Sequence, residues 1–210
     1  MSRSHLATNF FLIAHDPFTG RTTVGRELLG CGLVASELAD LVLTGHLDLV
    51  DDRVVVTDRS GGGEDEISRF VLASVARQRT AHPVRTWVES IGEIVFDLVV
   101  DELVDTGVIR VEQHRAVLRR GPDRFPAQDL LKASGPRLRL EHMIRNPTAF
   151  DLPGAVAAAI VGALGIERTF EFDVDRELFT DLTANLPPAL ERLVVGVADT
   201  VAAISMTIRR

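Results

Sequence analysis

Six histidines (His5, His15, His46, His82, His114 and His142), one cysteine (Cys31) and 30 acids are the residues of this chain that could hold a metal or move protons. None falls into a pattern that does either. The histidines form no HExxH or HxH pair and none is spaced to Cys31, so no ligand set emerges. There is no GxSxG elbow and no GxGxxG, and Gly61-Gly62-Gly63 lacks the Lys-Ser/Thr that would grip a phosphate. Asp51-Asp52 and Glu64-Asp65-Glu66 stand where a turn and a helix start already explain them. The residues predict no enzyme, no metal and no cofactor.

Charge is more informative. The chain carries 23 basic and 30 acidic residues, a net −7, but Arg115 to Arg145 holds eight of the basic ones (Arg115, Arg119, Arg120, Arg124, Lys132, Arg137, Arg139, Arg145) against Asp123, Asp129 and Glu141. A basic island in an acidic protein is either an anion-facing surface or a solvated face whose arginines pair locally. Arginine outnumbers lysine by 22 to one, which points to a GC-rich bacterial genome.

The elements that must position this island centre on Ser36 to Val56, SELADLVLTGHLDLVDDRVVV. Leu38, Leu41 and Val42 give the end of an amphipathic helix, with Glu37 and Asp40 turned away from its apolar face. Thr44-Gly45 stops it, since glycine takes the left-handed conformation at little steric cost. His46 to Val50, a turn at Asp51-Asp52, and Arg53 to Val56 make a β-hairpin. The unit recurs 62 residues on, in VVDELVDTGVIRVEQHRAVL from Val99 to Leu118: helix, Thr106-Gly107, strand, a turn at Glu112 to His114, and a second strand.

Arg26 to Leu43 is apolar on most sides and reads as a central helix. Leu6 to His15 is a helix or a buried strand, Asp16 to Gly20 a turn, and Arg21 to Gly25 a short strand. Helix is expected over Ile67 to Arg77, from Val84 to Ile91 and on from Glu93 to Asp105, and over Gln128 to Arg145 with a break at Gly135-Pro136. Leu152 to Leu164, Val174 to Asn185 and Ala189 to Ile208 complete the set. Residues 1–210 thus form a single, mainly α domain: a helical bundle with two small β-hairpins. A lone cysteine in an apolar run and the lack of a signal peptide or an 18-residue apolar span predict a soluble, cytoplasmic protein.

A helix followed by a β-hairpin is also how a winged helix ends. Val34 to Leu43 and Phe96 to Asp105 carry acids and no Lys or Arg, however, so no nucleic acid is expected as a partner.

Phe10 to Gly20 (FFLIAHDPFTG), Glu37 to Leu49 (ELADLVLTGHLDL), Val84 to Trp87 (VRTW) and Val99 to Ile109 (VVDELVDTGVI), followed by a basic hairpin and the Phe125-Pro126 loop, together resemble the Golgi phosphoprotein 3 family, in particular its bacterial members. Order and spacing agree from Leu6 to Arg145, and the C-terminal helices match in kind. The resemblance implies a helical peripheral membrane adaptor. Eukaryotic members bind phosphatidylinositol 4-phosphate, hold the cytoplasmic tails of glycosyltransferases, and use a hydrophobic hairpin for membrane contact and self-association.

By that resemblance the family's head-group tryptophan falls on Gly25, its arginine on Val34 and its two further basic residues on Glu93 and Phe96. Only Arg26, beside the first, is a cation, and Glu93 would repel a phosphate at close range. The hairpin matches better. Arg26, Arg115, Val117, Leu118, Arg119, Arg120, Arg124 and Phe125 are the expected lipid- or membrane-binding residues, each basic side chain contributing on the order of 1 kcal/mol near an anionic surface. The expected partners are anionic lipid at the inner face of the membrane or a membrane-protein tail, with a second copy of the chain paired through the second hairpin. The alternative is a protein-interaction scaffold without lipid binding.

Overall fold

Helix α2 (Arg26–Leu43) runs through the centre of the molecule, buried without interruption from Leu29 to Ala39 and again at Leu41. The computed structural model describes residues 5–58, 65–112, 123–170, 172, 174 and 176–208. Around α2 pack α1 (Leu6–Ile13), α3 (Glu66–Ala76), α4 (Val84–Asp105), α6 (Leu152–Leu164) and α8 (Pro188–Ile208). Helix α5 (Leu130–Arg145) lies against α1 and α6, and α7 (Arg176–Ala184) against α6 and α8. No described helix is long and apolar enough to cross a membrane.

Close approach at the α2–α4 crossing depends on glycine. A Cβ on Gly30 would stand 2.8 Å from the carbonyl oxygen of Gly92, inside van der Waals contact. The longest helix can therefore lie backbone to backbone on the central one.

The repeated unit is real at the level of hydrogen bonds. After α2, His46 N–H bonds to Leu41 O at 2.9 Å and Gly45 N–H to Val42 O at 3.0 Å; after α4, Val108 N–H bonds to Leu103 O and Gly107 N–H to Val104 O, both at 2.9 Å. Each is a complete Schellman ending, with the glycine left-handed at φ 78° and 68°. In each unit the threonine hydroxyl also donates to the carbonyl four residues back.

The two units then diverge. β1 (Leu47–Val50) and β2 (Arg53–Val56) form a tight antiparallel hairpin, and β3 (His82–Pro83) adds to the β2 edge. Asp51 and Asp52 both have positive φ, the signature of a two-residue turn matched to strand twist. The second hairpin is longer than its sequence suggested. Ile109 pairs with Ala127 and Glu112 with Arg124, so Glu112 is still in the ladder and the returning arm is 124–127. A turn at Glu112 to His114 would have brought Arg115 to Leu118 into those places; those four residues lie outside the described ones.

Two other expectations need correction. Arg21 to Gly25 makes a single bridge, Thr22 to His15, closed by Asp16 N–H on Arg21 O and Thr23 N–H on Ala14 O, and α2 starts at Arg26 before a ladder extends. Helix α5 runs unbroken through Pro136. The bond that proline removes is the one to the carbonyl of exposed Lys132, where water can take its place. Asp129 caps the helix through Lys132 N–H at 3.1 Å.

Candidate functional site

The base of the second hairpin is fastened to the body of the protein from two sides. Its arms exchange bonds from Arg110 N–H to Pro126 O (3.0 Å), Glu112 N–H to Arg124 O (2.8 Å) and Arg124 N–H to Glu112 O (3.0 Å). The turn after α1 then grips the returning arm, with Phe125 N–H on Gly20 O at 2.7 Å and Ala127 N–H on Pro17 O at 3.1 Å. Gly20 is obligatory at this junction: φ is 68°, and a Cβ would fall 2.6 Å from Pro126 N.

Phe125 makes the same connection with its side chain. Its ring meets Phe11 at 5.6 Å and Phe96 at 5.9 Å, both edge to face, and Phe11 meets Phe96 at 5.8 Å. Fully buried His15 places Nε2 2.6 Å from Phe125 O. A carbonyl only accepts, so Nε2 carries the proton; burial lowers the imidazole's pKa and keeps the ring neutral. At 6 % exposure Phe125 is a core residue, not the membrane contact expected of it. The Phe125-Pro126 loop expected beyond the hairpin is instead its returning arm, and the bonds of that arm to the turn after α1 bring the ring into the body.

The remaining expected residues separate into three groups. Arg115, Val117, Leu118, Arg119 and Arg120 lie outside the described residues. Arg124 holds the ladder with its backbone, and its half-buried side chain makes no ion pair among the described residues. Arg26 is already engaged: its guanidinium bonds Asp97 Oδ1 at 2.5 Å and lies 4.2 Å over the Phe96 ring.

Around Arg26, the positions implied for a head-group pocket do not converge on one. Gly25 caps α2, Val34 is fully buried in the core, Phe96 is buried beneath Arg26, and Glu93 is exposed on α4. The C-terminal part of the basic island is also largely self-paired: Arg137 with Glu141 (3.0 Å), Arg139 with Asp151 (2.5 Å), Lys132 with Asp129 (3.5 Å), while Arg145 stacks on Phe172. On α5 the solvated-face reading of these charges holds.

Sequence reasoning missed a buried polar cluster beneath α3. Glu37 is not turned to solvent but has no exposed surface, and its Oε1 accepts from Ser68 Oγ at 2.6 Å. His5 Nδ1 lies 3.5 Å from Asp40 Oδ2 and 3.3 Å from Asp65 Oδ2, and Asp65 also caps α3 through Ser68 N–H. Burial, with Asp65 and Asp40 nearby, raises the Glu37 pKa to about 8, so it is protonated at neutral pH. Asp40 foremost, then Asp65, Glu102 and Glu37, raise His5 to about 9 against its own burial. The signal was available in principle, since α3 starts with acids and lands on an α2 face that carries Glu37. No group of described residues is arranged to hold a metal ion.

A family model for Golgi phosphoprotein 3 (GPP34) matches residues 6–203. The chain belongs to the Golgi phosphoprotein 3 family. The match continues past Arg145 through α6, α7 and α8, which the motif resemblance reached only in kind. No curated protein matches the chain significantly. The mainly helical bundle with its small antiparallel sheet is the architecture expected of a Golgi phosphoprotein 3 domain.

Proposed function

We propose that this protein is a non-enzymatic peripheral adaptor that holds to anionic membrane through its second hairpin and presents its body to a membrane-protein tail. One observation carries the reading. The arms locked at Glu112 and Arg124 are joined by 113–123, QHRAVLRRGPD, which contains three arginines against one acid, Asp123. Whatever path this connection takes, its charge is tethered beside Arg124, a cation at the hairpin base without an ion pair among the described residues. A segment of this composition, three arginines with the apolar residues Val117 and Leu118 among them, suits an anionic bilayer.

The family's phosphoinositide preference is not part of this proposal. Arg26 is bound to Asp97, Glu93 stands nearby on α4, and neither Gly25 nor buried Val34 offers a donor to a phosphate. These residues favour generic electrostatic attachment over recognition of phosphatidylinositol 4-phosphate. Liposome sedimentation at two salt concentrations tests the reading, with the wild type run beside an Arg119→Glu, Arg120→Glu variant. Pelleting with phosphatidylserine vesicles is expected to disappear at high salt and in the variant. Added phosphatidylinositol 4-phosphate should do no more than its charge predicts. A wild type that pellets with no anionic vesicle would leave a scaffold for protein partners alone.

A further inference from the structure

The two most exposed large apolar side chains among the described residues are Leu131 (87 %) and Phe18 (78 %). They come from distant parts of the sequence, and each lies within a few residues of the backbone bond that joins the turn after α1 to the hairpin base. Phe18 follows Pro17, whose carbonyl accepts Ala127 N–H, and Leu131 lies four residues beyond Ala127 in the first turn of α5. Leu130, at the start of α5, and Val111, on the outgoing arm, are exposed as well.

Phe18 is not left in water by a slack loop. Asp16 Oδ1 accepts from the N–H groups of Phe18 (2.9 Å) and Thr19 (3.2 Å), its Oδ2 accepts from Thr19 Oγ1 (2.7 Å), and Gly20 N–H closes the turn on Asp16 O at 2.9 Å. Although partial burial works against it, these bonds hold the Asp16 carboxyl below its ordinary range, so the clamp stays charged and closed at neutral pH. A turn this well bonded, stitched to the hairpin, fixes the backbone from which the exposed Phe18 ring projects. Loops that merely connect do not need one.

We propose that Phe18 and Leu131 are a preformed bilayer-inserting site that sinks into the acyl boundary of an anionic membrane when the hairpin attaches. This rests on the adaptor reading and adds to it a second point of contact, built from described residues outside the basic segment. Charge chooses the occupant. Glu112 is paired with Arg110 and Asp129 with Lys132, which leaves Asp16, charged within its turn, and Asp123 as the nearby acids without a cationic partner among the described residues. Exposed Arg21 and half-buried Arg124 make no ion pairs among the described residues, with Asp123 the one nearby acid also without a bond there. The described rim balances Arg21 and Arg124 against Asp16 and Asp123, so the surplus is the three arginines of the adjoining 113–122 segment, and apolar tips near that charge fit the interface of an anionic bilayer better than the surface of a second acidic chain.

The test uses a polarity-sensitive nitrobenzoxadiazole label on Phe18→Cys and Leu131→Cys, with Val195→Cys on α8 as a control that is also exposed (48 %). Cys31 leaves the labelling selective, because it is 2 % exposed and burial pushes its thiol up to about 11. With phosphatidylcholine–phosphatidylserine vesicles, the labels at 18 and 131 should shift to the blue and be quenched by lipids brominated near the head group, while that at 195 should not. Phe18→Ser with Leu131→Ser should weaken vesicle binding about tenfold with unchanged melting temperature.

If the wild type pellets but all three labels report water, the insertion site is wrong and the hairpin attachment stands. If the wild type pellets with no vesicle, both readings fall. A blue shift that grows with protein concentration in the absence of lipid would mark a face between two copies and overturn the membrane assignment.

Discussion

The hydroxyl of Ser68 donates to the carboxyl of Glu37 across 2.6 Å, joining the first turn of α3 to the middle of the central helix. Glu37 has no exposed surface, and its second oxygen is buried without a hydrogen bond. A carboxyl so placed resists ionisation, which ties the stability of the fold to pH.

Glu37 (about 8 folded, near 4.5 unfolded) and His5 (about 9 folded, near 6.5 unfolded) both bind protons more tightly in the folded state. The Glu37 contribution is full below pH 4.5 and falls away up to pH 8. That of His5 is full below 6.5 and lost by 9. Stability should therefore fall from the acid side of neutrality to pH 9, most steeply between 6.5 and 8, where both act at about 1.4 kcal/mol per pH unit each. Thermal unfolding across this range should show the decline. Glu37→Gln, which keeps the Ser68 bond, should flatten it below pH 8 and raise the melting temperature at pH 8. An unchanged slope would refute the assignment.

Gly30→Ala should destabilise the protein by about 2 kcal/mol, because the added methyl meets the backbone of Gly92 rather than a side chain that could move. Denaturant unfolding followed by the fluorescence of buried Trp87 measures it. Gly25→Ala, where a Cβ meets nothing within 4 Å, is the matched control and should change stability far less.

Much of this was legible from residue order. The apolar run from Arg26 to Leu43 and the stops at Thr44-Gly45 and Thr106-Gly107 are local signals, and local hydrogen bonds realise them. What was not legible depends on contacts between distant segments. Phe125 was expected at the membrane because nothing in its neighbours announces that Phe11, Phe96 and His15 are waiting for it. Glu37 looked solvent-facing because helical periodicity knows one partner face, and α2 is covered on nearly all sides. Pro136 looked like a break because the rule counts the lost bond without asking whether water can replace it.

Phe125→Ala should cost about 3–5 kcal/mol of folding stability, the range for removing a buried aromatic ring. The decisive comparison is with Phe18→Ala, which should leave the melting temperature within a degree or two. If Phe125→Ala instead left stability intact and reduced only vesicle binding, the ring would belong to the membrane surface after all.

Gly45→Ala and Gly107→Ala should be equally costly, each by about 1 kcal/mol. Both glycines are left-handed, and a Cβ on either has no crowding neighbour, so only the backbone conformation resists. Paired urea titrations would check this. A clear inequality would mean that one helix ending carries a contact beyond its own turn.

The second hairpin grows out of α4, yet its returning arm is bonded to the turn after α1. Phe125 N–H on Gly20 O, Ala127 N–H on Pro17 O and His15 Nε2–H on Phe125 O act side by side between the same two segments. A pull on the hairpin is therefore shared as shear across parallel bonds, instead of peeling them one at a time. A load applied to the hairpin would pass through these bonds into the aromatic centre of the bundle, so that the core and not the hairpin alone would bear it.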